Sequence, residues 1–246
     1  YETRRIKLPI TTNMSGNNSH SYKFWTDLST DAKRTNDTSS VDISVYLSGP
    51  LNVLLVSQNI DLFGNCATSN NCEATQCLLS GNWLNLPNSQ QDDIDWRTNS
   101  GGTPSTGTGP SSGFGASGKY LYMEASASPV CSDKTALLMS PCIDLSTSQQ
   151  PELSFYYHML GSSMGELHVD VLADGIWYED VMLPLSGNQG NSWQQQIVDL
   201  SQFSGQIINI RFRGITGSSW SSDISIDEIN VIENFTAPNA GFTFTQ

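Results

Sequence analysis

Three carboxylates, Asp92, Asp93 and Asp95, lie within four positions and lead into Trp96 and Arg97. Carboxylates this close repel one another unless a cation or a basic side chain sits among them. On an extended strand Asp93 and Asp95 share one face, while Asp92, Ile94 and Trp96 share the other. The stretch 97–118 that follows is rich in Gly, Ser, Thr and Pro. It offers carbonyl and hydroxyl oxygens, and calcium takes roughly six to eight oxygens from such a mixture. Asp93 and Asp95 are therefore candidate ligands of a structural Ca2+, with Asp92 able to replace either. The spacing of an EF-hand is absent. The competing reading has these carboxylates facing solvent, or paired with Arg97, Arg211 or Arg213.

Aromatic residues beside Gly, Ser and Asp form a second candidate site. Trp177, Tyr178 and Trp220 are the candidate ligand-binding residues, because aromatic faces stack on sugar rings while polar side chains take the hydroxyls. The alternative is burial, the usual fate of Trp in a sandwich. Catalytic chemistry finds little purchase. His158 has no nucleophile or paired acid around it in sequence, and His168 falls opposite Leu167 and Val169, at a surface position. The pairs Glu179-Asp180 and Asp227-Glu228 are carboxylates without a visible cleft between them. Gly-x-Ser-x-Gly, His-Glu-x-x-His and phosphate-loop patterns are missing.

The 246 residues carry 24 acidic and 11 basic side chains, a formal charge of −13. Such a surface disfavours nucleic acid and anionic membranes and tolerates metal cations. No apolar run approaches the length of a membrane span, so direct membrane insertion is not expected. The chain opens at Tyr1 without a Met or signal peptide and reads as a mature or excised piece of something longer. Five Cys and three His give no zinc spacing. Disulfides in an oxidising compartment are the better reading. Cys131 and Cys142 flank the apolar run 135–139 and can close a loop around it. Of Cys66, Cys72 and Cys77, two pair and one is left over. The sequence does not decide which, and Cys72–Cys77 is the expected bridge.

The elements that must position these groups are strands. Tyr120–Glu124, Leu153–Met159, Glu166–Val171, Ile208–Arg213 and the run from Ile224 alternate with period two, between Gly, Ser, Asn and Pro. Leu153, Phe155, Tyr157 and Met159 share a face, as do Leu167, Val169 and Val171, and Ile208, Ile210 and Phe212. Many alternating strands without an amphipathic helix predict an all-β antiparallel sandwich. The long stretch 97–118 lies between strands and reads as a pinned loop rather than a linker. Residues 1–64 form a small N-terminal β segment, with a hairpin between Val41–Leu47 and Leu51–Val56 broken by Gly49-Pro50. Residues 234–246 read as a linker and the first strand of a further module.

Several of these runs resemble one family in the same order. Asp92-Asp93-Ile94-Asp95-Trp96 with the later Thr-Gly-Pro resembles the start of a MAM domain, the module of meprin, the A5 antigen and receptor tyrosine phosphatase mu. Gly118 to Glu124, Ala136 to Pro141, Phe155 to Gly161 with Gly165-x-Leu167, Trp193, and Ser222 to Ile229 are similar to its later strands. The resemblance covers about residues 66–233, so residues 65–233 are expected to form the MAM-like domain. It implies a jelly roll of the concanavalin-like kind, without catalytic activity of its own. The implied role is adhesion or interaction, with an extracellular protein or glycan or with other domains of the same parent. Glu124 and Asp227 lie on the matched strands and complete the candidate Ca2+ site with Asp93 and Asp95. Composition and tail are similar to bacterial secreted proteins, the tail to the opening of a polycystic-kidney-disease (PKD) repeat. Secretion or cell-surface display is the expected location. The alternatives are a carbohydrate-binding module on a secreted enzyme and a docking domain of a secreted metallopeptidase.

Overall fold

The computed structural model describes the backbone of residues 18–25 and 38–45, and residues 56–66, 69, 71–72, 77, 79–88, 91–126 and 131–234. The chain divides into two compact units, Tyr1–Gly49 and Pro50–Gln246. In the first, β1 (Asn18–Trp25) and β2 (Thr38–Val45) form an antiparallel ribbon with Asn18 opposite Val45. Part of the 41–47 run is a strand, and β1, which precedes it in the chain, pairs with it. The expected hairpin partner lies, up to residue 55, outside the described residues. Alternation identifies a strand and leaves its partner open.

The second unit begins with β3 (Val56–Gln58), β4 (Leu84–Asn85), β5 (Arg97–Asn99), β6 (Tyr120–Met123), β7 (Thr135–Met139) and β8 (Ile143–Asp144). It continues with β9 (Pro151–His158), β10 (Glu166–Ala173), β11 (Ile176–Tyr178), β12 (Leu185–Ser186), β13 (Gln194–Asp199), β14 (Ile207–Ile215) and β15 (Ile224–Glu233). Among the described residues, seven strands make one sheet, in the order β11-β10-β14-β7-β4, with β12 on β10 and β8 on β14. Six make the other, in the order β13-β9-β15-β6-β5, with β3 on β15. Every pairing among the described residues is antiparallel, and the described helices are single 3-10 turns such as Ile60–Leu62. The fold is the all-β sandwich that the alternation predicts. Because β3 pairs with β15, residues 56–58 belong to the sandwich rather than to the N-terminal segment. The tail 235–246, with its repeat-like start, lies outside the described residues.

Period two fills the core. Leu153, Phe155 and Tyr157 of β9, Leu167, Val169 and Val171 of β10, and Ile208, Ile210 and Phe212 of β14 are all buried. Phe155 meets Phe212 edge-to-face at 5.0 Å and joins the two sheets, worth about 1 kcal/mol beyond the area buried. Gly165 sits where a Cβ would strike the carbonyl of Ile215, so the turn into β10 requires glycine. The same alternation sends polar residues to the two outer faces. Both outer faces carry buried polar clusters, which is where the chemistry of this fold lies.

Two disulfides brace one edge. Cys66 pairs with Cys77 and Cys72 with Cys131, with Cα separations of 5.5 and 6.4 Å. The expected Cys131–Cys142 and Cys72–Cys77 bridges are corrected. Cys131 and Cys142 sit on either side of β7, and five extended residues span about 16 Å, while a disulfide needs Cα atoms within about 7 Å. Cys142 lies outside both bridges, its Sγ 3.7 Å from Asn209 Nδ2. Cys72 is carried to the end of β6 by a hydrogen bond from its N–H to the Ser126 carbonyl, 2.8 Å. Arg97, buried, donates to the carbonyls of Asn71 (2.7 Å) and Cys72 (2.6 Å) and ties this braced segment to β5.

Candidate functional site

Met123 of β6 stands opposite Ile224 of β15. The next cross-strand pair on the outer face is therefore Glu124 and Asp223, and both are 0% exposed. Asp223 Oδ1 accepts from the Ala125 N–H (3.0 Å), and Glu124 Oε1 from the Ser126 N–H (2.9 Å). Asp223 Oδ2 and Glu124 Oε2 make no hydrogen bond within the protein. Burial, and then the charge of Glu124, push the Asp223 carboxyl up to about 8. Burial likewise raises Glu124. The loop 100–118 covers the pair. Thr108 Oγ1 accepts from the Asp223 N–H (2.9 Å), the Thr103 hydroxyl donates to the Thr108 carbonyl (2.9 Å), and Ser105 Oγ lies 2.6 Å from Ser126 Oγ. Facing carboxyls in a dry place hold either a proton or a hard cation between them. Two carboxylates bordered by hydroxyls and loop carbonyls are the donor set that Ca2+ prefers.

The expected loop 97–118 is shorter by its first three residues, which form β5, and the rest is held by its own contacts. Trp193 Nε1 donates to the Ser112 carbonyl (3.0 Å), Gly109 N to the Leu160 carbonyl (3.3 Å), and Phe114 stacks on Tyr156 at 3.6 Å. Asp227, four residues along β15 from Asp223, accepts from the Phe114 N–H (2.9 Å) and the Glu228 N–H (2.8 Å). Burial raises it to about 6.

Asp93, Asp95, Glu124 and Asp227 do not converge. Asp93 is exposed, accepts from Thr135 N (3.0 Å) and pairs with Lys134 at 3.4 Å. Asp95 is buried close to Arg97, its carboxyl raised by desolvation. Asp92 is also buried. It accepts from Leu137 N (3.0 Å), and desolvation raises it to about 7. Residues 93–96 are not a paired strand, so the face-sharing expected of Asp93 and Asp95 does not arise. Asp227 is about 13 Å from Asp223 along the strand. Among the described residues no three acidic, His or Cys side chains are grouped so as to hold a metal ion. Sequence reasoning overlooked Asp223, the partner of Glu124, although it lies in the run Ser222 to Ile229.

The seven-stranded sheet carries a different cluster. Asp170, 0% exposed, accepts from Arg211 Nε (2.9 Å) and from Arg213 Nε and Nη2 (both 3.0 Å). Desolvation pulls its carboxyl up, but hydrogen bonds from Arg213, the Asp180 N–H and Arg211 outweigh it and hold it below the usual range. Arg213 also pairs with Asp180 (2.8 Å), and Arg211 with Glu179 (3.3 Å). His168 is corrected from a surface position. It is buried between Asp180 (2.6 Å) and Glu166 (3.2 Å), because the segment after β11 folds back over β10. The expected aromatic site is dispersed. Trp177 lies under the Arg211 guanidinium at 4.0 Å, while Tyr178, its strand neighbour, turns to the opposite face and packs on Phe203. Trp220, 43% exposed, follows Ile215, which pairs with the far end of β10.

His158 is buried, bonds Asn191 through Nε2 (3.1 Å) and packs on Trp193. Burial lowers its pKa. Ser225 stands opposite it, yet Ser225 Oγ and His158 Nδ1 make no hydrogen bond. This is not the nucleophile–base contact of an acyl-transfer site.

The chain is similar to several known proteins. MAM domain-containing glycosylphosphatidylinositol anchor protein 1 of Gallus gallus is 34% identical over 149 residues, 58% of this chain and 15% of that protein. Neuropilin-1a of Danio rerio is 32% identical over 160 residues, 62% of this chain and 17% of its own length. The chain thus spans about a sixth of the length of these relatives. Among solved structures, the K1 cleaved adhesin domain of Lys-gingipain from Porphyromonas gingivalis W83 aligns with a TM-score of 0.46 and 14% identity. That alignment covers 74% of this chain and 99% of that one. A cyclase from Fischerella sp. aligns at 0.42 with 10% identity, over 74% and 98%. The family pattern "MAM domain, meprin/A5/mu" matches residues 73–235, about two thirds of the sequence, and the chain belongs to the MAM family.

Proposed function

We propose that this chain is a non-catalytic adhesion or interaction module of a larger bacterial protein, stabilised by calcium. As a MAM domain it is extracellular, secreted or displayed at the cell surface, and its disulfides suit an oxidising compartment. The observation that carries the calcium reading is the Glu124–Asp223 pair. Two fully buried carboxyls, each with an oxygen unused by the protein, are costly unless protonated or bridged by a cation. Glu124 and Asp223 would hold the ion, which would neutralise both and fasten the loop 100–118 to β6 and β15. The ion's role is structural.

The reading of the whole as an interaction module rests on the family, and on the absence of an assembled nucleophile and base among the described residues. Its partner is an extracellular protein or glycan. The experiment is a screen of the purified chain on arrays of glycans and matrix proteins, with calcium and again with chelator. Saturable binding that weakens in chelator is the expected result. Turnover of an arrayed component, or no binding in either condition, would sink it.

A further inference from the structure

The outer face of the seven-stranded sheet holds a cleft of about 250 Å³. Its floor is Thr135 and Leu137 of β7 with Arg211, Arg213 and Ile215 of β14. Gln91 forms one wall and Glu179 the other. The volume equals about eight waters at roughly 30 Å³ each, which is room for a single sugar ring and little more.

The two guanidiniums are fixed before any ligand arrives. Asp170 holds both from below, Asp180 takes Arg213 Nη2, and the Trp177 ring stacks on Arg211 at 4.0 Å. None of these contacts uses Nη1 of either arginine, so each keeps donors for a guest. Acceptors are present too, in Glu179 Oε2, the Thr135 hydroxyl and the Gln91 amide. Leu137 and Ile215 give an apolar patch between them. Charge selects the class of guest. Two arginines face three carboxylates, Asp170, Glu179 and Asp180, so an anion finds no excess positive charge. A cation meets the guanidiniums first. A neutral polyhydroxyl ring uses donors, acceptors and apolar floor together.

The geometry points to this cleft as the binding site for one neutral sugar unit of an extracellular glycan. The inference rests on the interaction-module reading and names its partner. Trp177 acts in it as a positioning residue for Arg211, while Tyr178 and Trp220 lie outside the cleft.

The test is a chemical-shift titration of the isotopically labelled full chain. Glucose, galactose, mannose and N-acetylglucosamine serve as probes, with glucuronate as the anionic control. Saturable shifts at Thr135, Leu137 and the side chains of Arg211 and Arg213 are expected with at least one neutral sugar. Thr135→Val and Glu179→Gln should each weaken that binding about tenfold without lowering the melting temperature. No shift with any neutral sugar, shifts confined to Trp220 or Tyr178, or tighter binding of glucuronate would each overturn the proposal. Binding to matrix proteins with a silent cleft would also overturn it, yet leave the interaction module standing. Failure to bind any arrayed protein or glycan, or turnover of one, removes the module itself.

Discussion

Asp170 and Asp223 are the same residue type at the same burial, on opposite outer faces, and their chemistry diverges. Asp170 has its counter-charges built into the chain, and Arg211 and Arg213 hold it ionised. Asp223 faces Glu124, another carboxyl, and its proton is held up to about 8. One network is complete within the fold. The other is complete only with a proton or a cation added. Burial alone therefore does not set the state of a carboxylate; the sign of its nearest buried neighbour does.

The sharpest way to break this contrast is to neutralise each aspartate in turn. Asp170→Asn leaves two arginines without a buried counter-charge and should cost about 3–5 kcal/mol in urea unfolding. Asp223→Asn keeps an acceptor for the Ala125 N–H and removes a repulsion. In chelator at about pH 4, where Asp223 is largely uncharged, it should change stability by less than about 1 kcal/mol. Equal losses would erase the distinction.

The pH dependence sharpens it. A carboxyl raised in the folded state stabilises fully below its unfolded value of 3.8, and that contribution is lost as pH rises through the folded value. In chelator, stability should therefore fall from about pH 4 to about 8, and Asp223→Asn should remove the upper part of the decline. Asp227 and Asp92 act with the same sign but are spent by about 6 and about 7. Asp170, lowered, acts in the opposite sense, and its contribution disappears only in acid. Calcium should flatten the decline. Melting curves across pH, with and without calcium, are the check. A chelated protein that gains stability between pH 6 and 8 would contradict the assignment.

Smaller effects separate the loop from the sheet. Trp193→Phe loses the bond to the Ser112 carbonyl and should cost about 1 kcal/mol. Hydrogen exchange should accelerate along 108–114 while the core of β10 is unchanged. Asp93→Asn breaks only an exposed pair with Lys134 and should cost about 0.5 kcal/mol or less.

Much of the sandwich was legible because alternation is local. Phe155, Val169 and Ile210 each reveal their face from the residues two places away. Gly165 and Trp193 stand out in the family-like runs, and the long loop between strands reads as pinned. What stayed hidden depends on pairing across the chain. The contact between Glu124 and Asp223 follows from the register of β6 on β15, nearly a hundred residues apart, and no local pattern encodes that. His168 alternates as a surface residue should. It is buried only because Asp180, with a positive φ of 53°, closes over it. The cysteine pairing was equally a matter of which strand ends meet. The aromatic site dispersed because Trp177 and Tyr178, adjacent in sequence, fall on opposite faces of β11.

The most direct measurement is the melting temperature of the wild-type chain, Glu124→Gln, Asp223→Asn and Asp93→Asn, each in calcium and in chelator. At a hundredfold excess over its Kd, calcium should stabilise the wild type by about 3 kcal/mol. It should raise the wild type and Asp93→Asn alike and leave Glu124→Gln and Asp223→Asn where they stand in chelator. A wild type indifferent to calcium, or an Asp223→Asn variant that still responds, would contradict a cation held between Glu124 and Asp223.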